Sequence, residues 1–430
     1  MPTRRTFLQQ SALAATGVLA RPFITRLPQA KFKTVLIGSG WWGMNILREG
    51  LRTGEVSIAG LCDVDQNQLK RCQAEVDKLC NDQPRHYTDY RECLRKEQPD
   101  IAIIATPDHW HALPAIAALQ GGAHVFLEKP IGHTVKEGTA IVKAARDAQK
   151  VCIVDFHRRY SPHNVSANQF LRDGKAGKIH SVKAFVNYNW GKGEVEAESP
   201  VPEGLDWNAY CGPAPLQPYH AGIHPRGFRQ YMAFANGQIG DWGPHWFDQI
   251  LWWTEEKMPR RIYSTWKTGL RDSHADAPEI QTAVFEFEDF TCTWEHSLIN
   301  PCPERRTENV GVYFYGTEGT FHLGWQKGWT FFPTDSKKEI IHVDPTLDEP
   351  DQQNIALVWR DMLTCIHGKK TPLADVQKGK YATDMALLAN IAAQTGRALQ
   401  WDADKDMVVG DKGANKKLAR AYRTPWQYPG

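Results

Sequence analysis

The 430-residue sequence predicts an α/β fold, in which a parallel, doubly wound sheet precedes an α/β domain with a large, mostly antiparallel open sheet. Three observations lead to this expectation. The first half alternates short apolar runs with helical patterns, whereas from about residue 180 longer runs alternate with a period of two. At roughly 150 residues per domain, the length suits two to three domains.

The first half reads as a series of strand and helix pairs. Five apolar runs have the length and composition of buried strands, at 33–38, 56–62, 101–105, 124–127 and 151–156. Helical periodicity follows them at 42–52, 66–80, after Asp108, and at 135–149. Repeated alternation of this kind predicts parallel strands joined by right-handed helical crossovers.

The second half is dominated by strand patterns. They lie at 181–188, 261–268, 282–287, 291–297, 310–315 and 319–323, with no helical pattern between the later ones. Two helices, near 354–366 and 381–395, are expected to complete the molecule.

Composition excludes several classes of protein. The 51 Lys and Arg residues nearly balance 49 Asp and Glu, without blocks of like charge, so we expect no nucleic-acid partner. No apolar stretch reaches the roughly 18 residues of a membrane span. The nine cysteines are scattered without a C-x-x-C pair, which favours buried thiols over zinc ligands or a disulfide framework.

Residues 1–30 resemble an export signal. Arg4 and Arg5 precede Phe7-Leu8 and an Ala-rich apolar stretch, with no acidic residue before Glu49. This is the pattern of a twin-arginine signal. We therefore expect the twin-arginine export machinery as a partner and a periplasmic, or otherwise extracytoplasmic, location.

A glycine-rich turn joins the first predicted strand to the first helix. Gly38-Ser39-Gly40-Trp41-Trp42-Gly43 fits G-x-G-x-x-G, in which the glycines allow a tight turn and let the backbone approach a pyrophosphate. Asp63 stands at the end of the second strand, where a carboxylate binds ribose hydroxyls. The next residues are Val64 and Asp65, so a 2′-phosphate would meet negative charge, which favours NAD over NADP. We expect residues 31–157 to form a Rossmann domain and 158–430 a substrate-binding and oligomerisation domain.

Two further motifs follow predicted strands of the same sheet. Thr106-Pro107-Asp108 comes after the strand at 101–105, and Glu128-Lys129-Pro130 after the strand at 124–127. Both would line the ligand crevice at the carboxyl edge of the sheet. A partly desolvated Lys129 could exchange a proton with a hydroxyl. Asp108, His109 and His111 have the composition of metal ligands, but helix capping by Asp108 explains the segment better and no metal is expected.

The second half contains a candidate acid–base pair. If a helix begins near Gly240, Asp241 and His245 share one of its faces, and Asp248 follows three residues later. A carboxylate that orients an imidazole fixes its tautomer, as general acid–base chemistry requires. An Asp helix cap beside a buried structural His is the alternative interpretation.

The ordered set of motifs resembles one family. Gly38-x-Gly40-x-x-Gly43, Thr106-Pro107, Glu128-Lys129-Pro130 and Asp241-x-Gly243-x-His245-x-x-Asp248 are similar to the Gfo/Idh/MocA family, which includes glucose-fructose oxidoreductase and inositol dehydrogenase. The resemblance extends over the chain after the signal. It implies oxidoreductase chemistry on sugars or polyols, and a homodimer or homotetramer built through the open sheet.

The resemblance also implies roles for individual residues. Lys129 and His245 would flank the reacting carbinol, with Asp241 binding substrate or orienting His245; which of Lys129 and His245 is the base stays open. Cofactor contacts would come from the glycine turn and Asp63, and from Thr106, Pro107, His111, Glu128 and Lys129. Substrate contacts are expected from Arg159, Tyr188, Trp190 and Arg229, besides Asp241 and His245.

Export constrains the reaction, because free NAD is not recycled outside the cytoplasm. We therefore expect a tightly retained cofactor in an NAD(P)-dependent dehydrogenase acting on CH–OH of a sugar, polyol or glycoside. The alternative is a redox-neutral glycoside lyase, hydrolase or epimerase that acts through a transient keto-sugar, although the Pro-Thr-His-Gly segment usual in the N-acetylhexosaminide-cleaving relatives is missing. A non-catalytic binding protein is the third possibility.

Overall fold

The computed structural model describes residues 31–255, 258–299 and 308–429. The predicted export signal, residues 1–30, lies outside these residues. From Phe32 onward the described chain forms one compact unit built around two sheets. Among its described helices, none combines the length and the apolar character needed to cross a bilayer.

The first sheet has six strands, all parallel, in the order β3-β2-β1-β4-β5-β6. They are β1 (Phe32–Ile37), β2 (Val56–Cys62), β3 (Arg85–Tyr87), β4 (Ile101–Ile104), β5 (His124–Leu127) and β6 (Cys152–Val154). The strand order reverses between β1 and β4, so a crevice opens there at the carboxyl ends of the strands. The prediction of a Rossmann-type parallel sheet is confirmed.

In the part of the chain that the structure describes, five helices cover this sheet: α1 (Trp41–Arg52), α2 (Gln66–Leu79), α3 (Tyr90–Glu97), α4 (Ala112–Gln120) and α5 (Val135–Asp147). Local sequence fixes several of their starts. Asp65 caps α2 by accepting a hydrogen bond from the Asn67 amide, and Thr134 and Glu137 form a capping box at α5. β3 and α3 were not anticipated from the sequence, because β3 has only three residues and little apolar character.

The second sheet has ten strands in the order β14-β13-β12-β11-β7-β10-β9-β8-β15-β16. They are β7 (Ile179–Asn187), β8 (Arg261–Lys267), β9 (Ile280–Glu286), β10 (Thr291–Ser297), β11 (Val310–Gly316), β12 (Gly319–Gly324), β13 (Trp329–Pro333), β14 (Ile341–Val343), β15 (Leu399–Asp402) and β16 (Met407–Val408). The central pair, β7 and β10, is parallel, and the other described neighbours are antiparallel. The expected mostly antiparallel sheet is confirmed, with four short edge strands that the sequence pattern did not indicate.

The described residues of the second half form seven more helices: α6 (Pro162–Arg172), α7 (Trp207–Cys211), α8 (Gly237–Asp241), α9 (Gly243–Thr254), α10 (Pro350–Gly368), α11 (Val376–Thr395) and α12 (Lys412–Lys416). Short 3₁₀ turns lie at Asp108–Trp110, His157–Tyr160 and Gly227–Gln230. α11 is buried along most of its length and packs against α9, β8 and α5, which joins the two sheets into one core. It begins five residues before the predicted start because Asp375 caps it.

Trp359 is a buried contact between helix α10 and helix α1 of the first domain. Trp359 is fully buried, and its indole Nε1 donates a 2.8 Å hydrogen bond to the Ile46 carbonyl of α1. Its ring lies 5.1 Å from the Phe126 ring of β5. Gly50 lies under the same indole, since a Cβ at that position would approach the ring to 2.7 Å. The contact therefore requires both the large ring and the missing side chain.

Replacing this indole should destabilise the fold strongly. We expect Trp359→Ala to lower the free energy of unfolding by about 3–5 kcal/mol, because it removes a buried aromatic side chain and leaves a cavity. Trp359→Phe should cost less, since it keeps most of the packing. Urea unfolding of both variants measures the difference. A Trp359→Ala protein as stable as wild type would show that α10 is held elsewhere.

Candidate active site

The glycine turn between β1 and α1 has the shape that a pyrophosphate requires. Gly38 has a φ of +94°, and a Cβ there would lie 2.5 Å from the Ala105 carbonyl. A Cβ on Gly43 would lie 2.1 Å from the Gly38 oxygen. Around Gly40, by contrast, the described residues place no heavy atom within 4 Å of a Cβ position, its own chain neighbours aside. Gly38 and Gly43 are therefore packed against neighbouring backbone, whereas the described residues leave the space beside Gly40 open. At this space the N-terminus of α1 can offer backbone amides to an anion.

Asp63 lies beside this turn at the end of β2. Its carboxylate accepts hydrogen bonds from the Ser39 amide at 2.7 Å and from the Asp65 amide at 3.0 Å. Burial raises the pKa of Asp63 to about 6, although these backbone donors favour the charged form. The position suits a ribose hydroxyl, which can donate to the remaining lone pairs of the carboxylate.

A cavity of about 510 Å³ runs along the carboxyl edge of the first sheet. Most of the predicted cofactor residues line it: Gly38, Ser39, Gly40, Trp41, Trp42, Asp63, Thr106, Pro107, Glu128 and Lys129. The glycine turn, the Asp63 carboxylate and the cavity together fit a dinucleotide. This volume lies within the range that ligand pockets occupy in proteins.

Two predicted cofactor residues have structural positions instead. Gly43 allows the close approach inside the turn. His111 is fully buried, with Nδ1 2.6 Å from the Pro130 carbonyl and Nε2 2.7 Å from the Thr106 carbonyl. It therefore braces the two loops that follow β4 and β5 and does not line the cavity.

Lys129 forms the centre of a charged cluster. Its ammonium donates to the Asp241 carboxylate at 2.7 Å and to the Asp241 carbonyl at 2.9 Å. The Arg229 guanidinium donates to the same carboxylate at 3.1 Å. Burial would raise the pKa of Asp241, but the two cations outweigh it and lower that pKa to about 2. Lys129 and Arg229 both line the cavity, so the cluster is part of its wall.

The predicted pairing of Asp241 with His245 is wrong. α8 ends at Asp241 and α9 begins at Gly243, so the two residues do not share a continuous helical face. The break frees the Asp241 carbonyl, which accepts from Lys129 instead of from an amide of the next turn. The Asp241 carboxylate is consequently committed to Lys129 and Arg229.

His245 lies in an aromatic wall beside the cluster. Its ring is 5.1 Å from Trp325, 6.0 Å from Trp242 and 5.4 Å from His157. Within the described chain its Nδ1 has no hydrogen-bond partner. Burial lowers the pKa of His245 well below its ordinary value, and the positive charges of Lys129 and His157 add to this effect. The imidazole is therefore neutral near pH 7.

Three other predicted substrate residues lie outside the cavity lining, in two different places. Arg159 is buried away from the cavity, where its Nε donates to both carboxylate oxygens of Asp248 at 2.7 and 2.8 Å. This ion pair is structural, which does not agree with the predicted substrate contact. Tyr188 and Trp190 stack at 6.1 Å, and Tyr188 lies 6.1 Å from Trp242, so the pair extends the aromatic wall without lining the cavity.

Several wall residues were missed by sequence reasoning. Asp108 lines the cavity, and burial raises the pKa of its carboxyl to about 7. Its place after β4 was the available signal, but it was interpreted as a helix cap. Trp325 and Trp426 come from distant parts of the chain, and nothing in the local sequence places them at the site. Among the described residues, no group of three or more His, Cys, Asp or Glu side chains could hold a metal ion.

Comparison with known proteins agrees with this geometry. Residues 32–156 match the family GFO_IDH_MocA, described as an oxidoreductase family with an NAD-binding Rossmann fold, and residues 178–428 match its C-terminal α/β domain. A levoglucosan dehydrogenase structure in complex with NADH and levoglucosan has a TM-score of 0.67 at 16% identity, covering 89% of this chain and 100% of the other. At that identity the likeness shows the fold.

Two curated relatives come from Shewanella. A glycosyl hydrolase family 109 protein of Shewanella sp. (strain W3-18-1) is 29% identical over 331 residues, which are 70% of this chain and 67% of that protein. An alpha-N-acetylgalactosaminidase of Shewanella oneidensis is 28% identical over 237 residues, 53% of this chain and 48% of the relative. The matches thus span about two thirds of the first relative's length and about half of the second's. Because the family matches cover both domains, the chain belongs to the Gfo/Idh/MocA oxidoreductase family and has its NAD-binding Rossmann domain.

Proposed function

We propose that this protein is an NAD-dependent oxidoreductase that acts on a CH–OH group of a sugar, polyol or glycoside and retains its cofactor tightly. The observation that carries the proposal is the Lys129–Asp241–Arg229 cluster in the wall of the dinucleotide cavity. NAD, when bound, supplies the acceptance of a hydride from the carbon that bears the hydroxyl. The protein must then position that hydroxyl and take its proton.

Lys129 is suited to hold the reacting oxygen. As an ammonium it has three N–H donors, and two of them point to Asp241 oxygens. The described residues offer the third N–H no acceptor within hydrogen-bond distance, since Glu128 Oε1 lies 4.0 Å away, so it can donate to a substrate hydroxyl. A positive charge in a buried site also stabilises negative charge that develops on that oxygen as its proton leaves. Asp241 keeps the ammonium in place, and Arg229 holds the Asp241 carboxylate from its other side and can contact a neighbouring hydroxyl group of a sugar.

His245 is suited to take the proton. An ammonium has no lone pair with which to accept a proton, whereas His245 Nδ1 has no partner among the described residues and can accept one in the tautomer that carries its hydrogen on Nε2. We therefore infer that His245 is the base and Lys129 the electrostatic partner. The aromatic wall of Trp242, Trp325 and Tyr188 supplies flat apolar surfaces on which a pyranose ring can stack.

The names of the Shewanella relatives favour a second candidate. A glycosyl hydrolase name fits a redox-neutral reaction in which a sugar carbon is oxidised transiently, the neighbouring C–H becomes acidic, and the hydride is returned. The same cluster can serve that reaction, because proton exchange at a hydroxyl is common to both. Export through a twin-arginine signal remains our prediction and fits a retained cofactor in either case.

Product analysis distinguishes the two candidates. We expect denatured protein to release NAD(H) close to one per chain, and a panel of sugars and glycosides to reduce the bound NAD with formation of a keto-sugar. Cleaved or inverted sugar without net NADH would favour the redox-neutral reaction. Chromatography and mass spectrometry of nucleotide and products measure both outcomes. Protein that contains no nucleotide and fails to bind added NAD would contradict the proposal.

Removing the Lys129 charge should impair turnover and spare cofactor binding. We expect Lys129→Met to lower kcat by about 10²-fold or more, because removing one group that stabilises developing negative charge on the reacting oxygen typically costs that much. The affinity for NAD should stay near that of wild type, because the glycine turn and Asp63 are intact. Lys143→Met, on the exposed face of α5, is the matched control. Equal kcat in Lys129→Met and wild type would exclude the cluster from the reaction.

The buried Asp108 carboxyl predicts a pH-dependent stability difference. Its pKa is raised from the ordinary value near 4 to about 7, so the folded state favours the neutral acid. Relative to Asp108→Asn, wild type should therefore lose stability as the pH rises from about 4 to 7 and change little above that. We expect the unfolding temperature of Asp108→Asn to gain about 2 °C or more on wild type between pH 4.5 and pH 8. A constant difference across this range would contradict the buried-acid assignment.

A further inference from the structure

The last described residues of the chain form a strap across the Rossmann domain. We define the strap as residues 419–429, which follow α12. Arg420 donates to Glu137 at 2.9 Å and to the His109 carbonyl at 2.7 Å. Tyr422 donates to the same Glu137 oxygen at 2.7 Å, and the Tyr428 hydroxyl lies 2.7 Å from the Thr134 hydroxyl. The strap is thus attached to the start of α5.

A second anchor attaches the strap to the other domain. The Arg423 Nε donates to the carbonyls of Gly212 and Ala214 at 3.0 and 3.1 Å. Its other nitrogens donate to the side chain and the carbonyl of Asn208 at 2.6 and 2.8 Å. All four bonds lie in and just after α7. The strap therefore crosses from one domain to the other while it is hydrogen-bonded on both sides.

Between these anchors the strap contributes a wall of the dinucleotide cavity. Trp426 is one of the residues that line it. Its ring lies edge-on to Trp110 at 4.7 Å, and the Arg91 guanidinium lies 4.7 Å from its centroid. Arg91 belongs to α3, which follows β3, whereas Trp110 follows β4. Trp426 therefore contacts residues that follow β3 and β4, the two strands that flank β2 and β1 in the sheet.

The position of Trp426 indicates which half of a bound dinucleotide would lie against it. Asp63, at the end of β2, is the ribose carboxylate, and Tyr90, Arg91 and Trp110 line the cavity with it. Lys129 stands at the end of β5, on the opposite side of the glycine turn. With the pyrophosphate at the turn and the reactive end at Lys129, the adenosine half of the dinucleotide falls on the side of Trp426.

We propose that the strap is a retaining wall for the adenosine half of NAD, in which Trp426 provides an aromatic face for adenine and Arg423 anchors the strap. This inference rests on NAD binding in the proposed function and assigns the cause of its tight retention. An aromatic ring binds a base by stacking, and a wall hydrogen-bonded to two domains must detach before the nucleotide can leave. Release is then limited by the opening of the strap.

The rate of cofactor release tests this proposal. Protein freed of nucleotide is loaded with NADH, mixed with an excess of NAD⁺, and followed by the loss of bound-NADH fluorescence. Because stacking of one base is lost or loosened, we expect Trp426→Ala and Arg423→Ala to release NADH about tenfold faster than wild type, or more. Phe332→Ala and Arg397→Ala, exposed positions outside the cavity, are the matched controls and should keep the wild-type rate.

The outcomes separate this inference from the proposed function. Release from either strap variant within twofold of the wild-type rate would overturn the strap, while leaving NAD-dependent oxidation intact. Fast release from both variants supports the strap even if no sugar is oxidised. A wild-type protein that fails to bind NADH would overturn both proposals. Arg423 lies outside the cavity wall and Trp426 within it, so each variant gives an independent reading if the other does not fold.

Discussion

The ion pair between Lys129 and Asp241 is the contact on which the organisation of the site depends. Lys129 stands at the end of a Rossmann strand and Asp241 at the end of a helix from the second domain, so the pair fixes one domain against the other where the reaction would occur. A buried charge is costly unless it is paired and fully hydrogen-bonded. Here Arg229 gives the Asp241 carboxylate a second hydrogen-bond donor, and the Asp241 carbonyl at the helix end gives Lys129 a second acceptor. These two hydrogen bonds offset the cost of burying the pair.

Around this cluster, some buried acids form ion pairs, whereas burial raises the pKa of others. The indole Nε1 of Trp42 donates to both Glu128 and Asp155, at 3.1 and 2.8 Å. Burial raises the pKa of Glu128 well above its ordinary value, and the nearby Asp155 carboxylate adds to this effect. His157, 3.6 Å from Asp155 and 3.5 Å from Asp351, keeps a raised pKa despite its burial. The raised pKa of Glu128 favours its neutral form, so this acid offsets the Lys129 charge less than an ionised carboxylate would.

The sequence predicted the site residues best where they follow parallel strands of the same sheet. The glycine turn, Asp63, Thr106 and Lys129 each follow a parallel strand, and such strand ends meet at one edge of the sheet, so their convergence on one cavity could be predicted. Contacts made across the chain could not. Trp426 and Trp325 reach the site through the packing of late segments, and the burial of Arg159 depends on Asp248, which lies on another element.

The prediction that Asp241 and His245 share a helical face was wrong for a reason that is visible in the sequence. Gly243-Pro244 is the signature of a new helix start, because a proline in the first turn needs no amide hydrogen bond. The break has a consequence for how the site can diversify. In a continuous helix, a residue inserted between the two groups would turn the carboxylate about 100° away from the imidazole. Here Trp242 separates two helices, so no continuous hydrogen-bond ladder couples the rotation of one group to that of the other. The orientations of the Asp241 carboxylate and the His245 imidazole are therefore set by different helices, and a change of length in one helix does not rotate the other group.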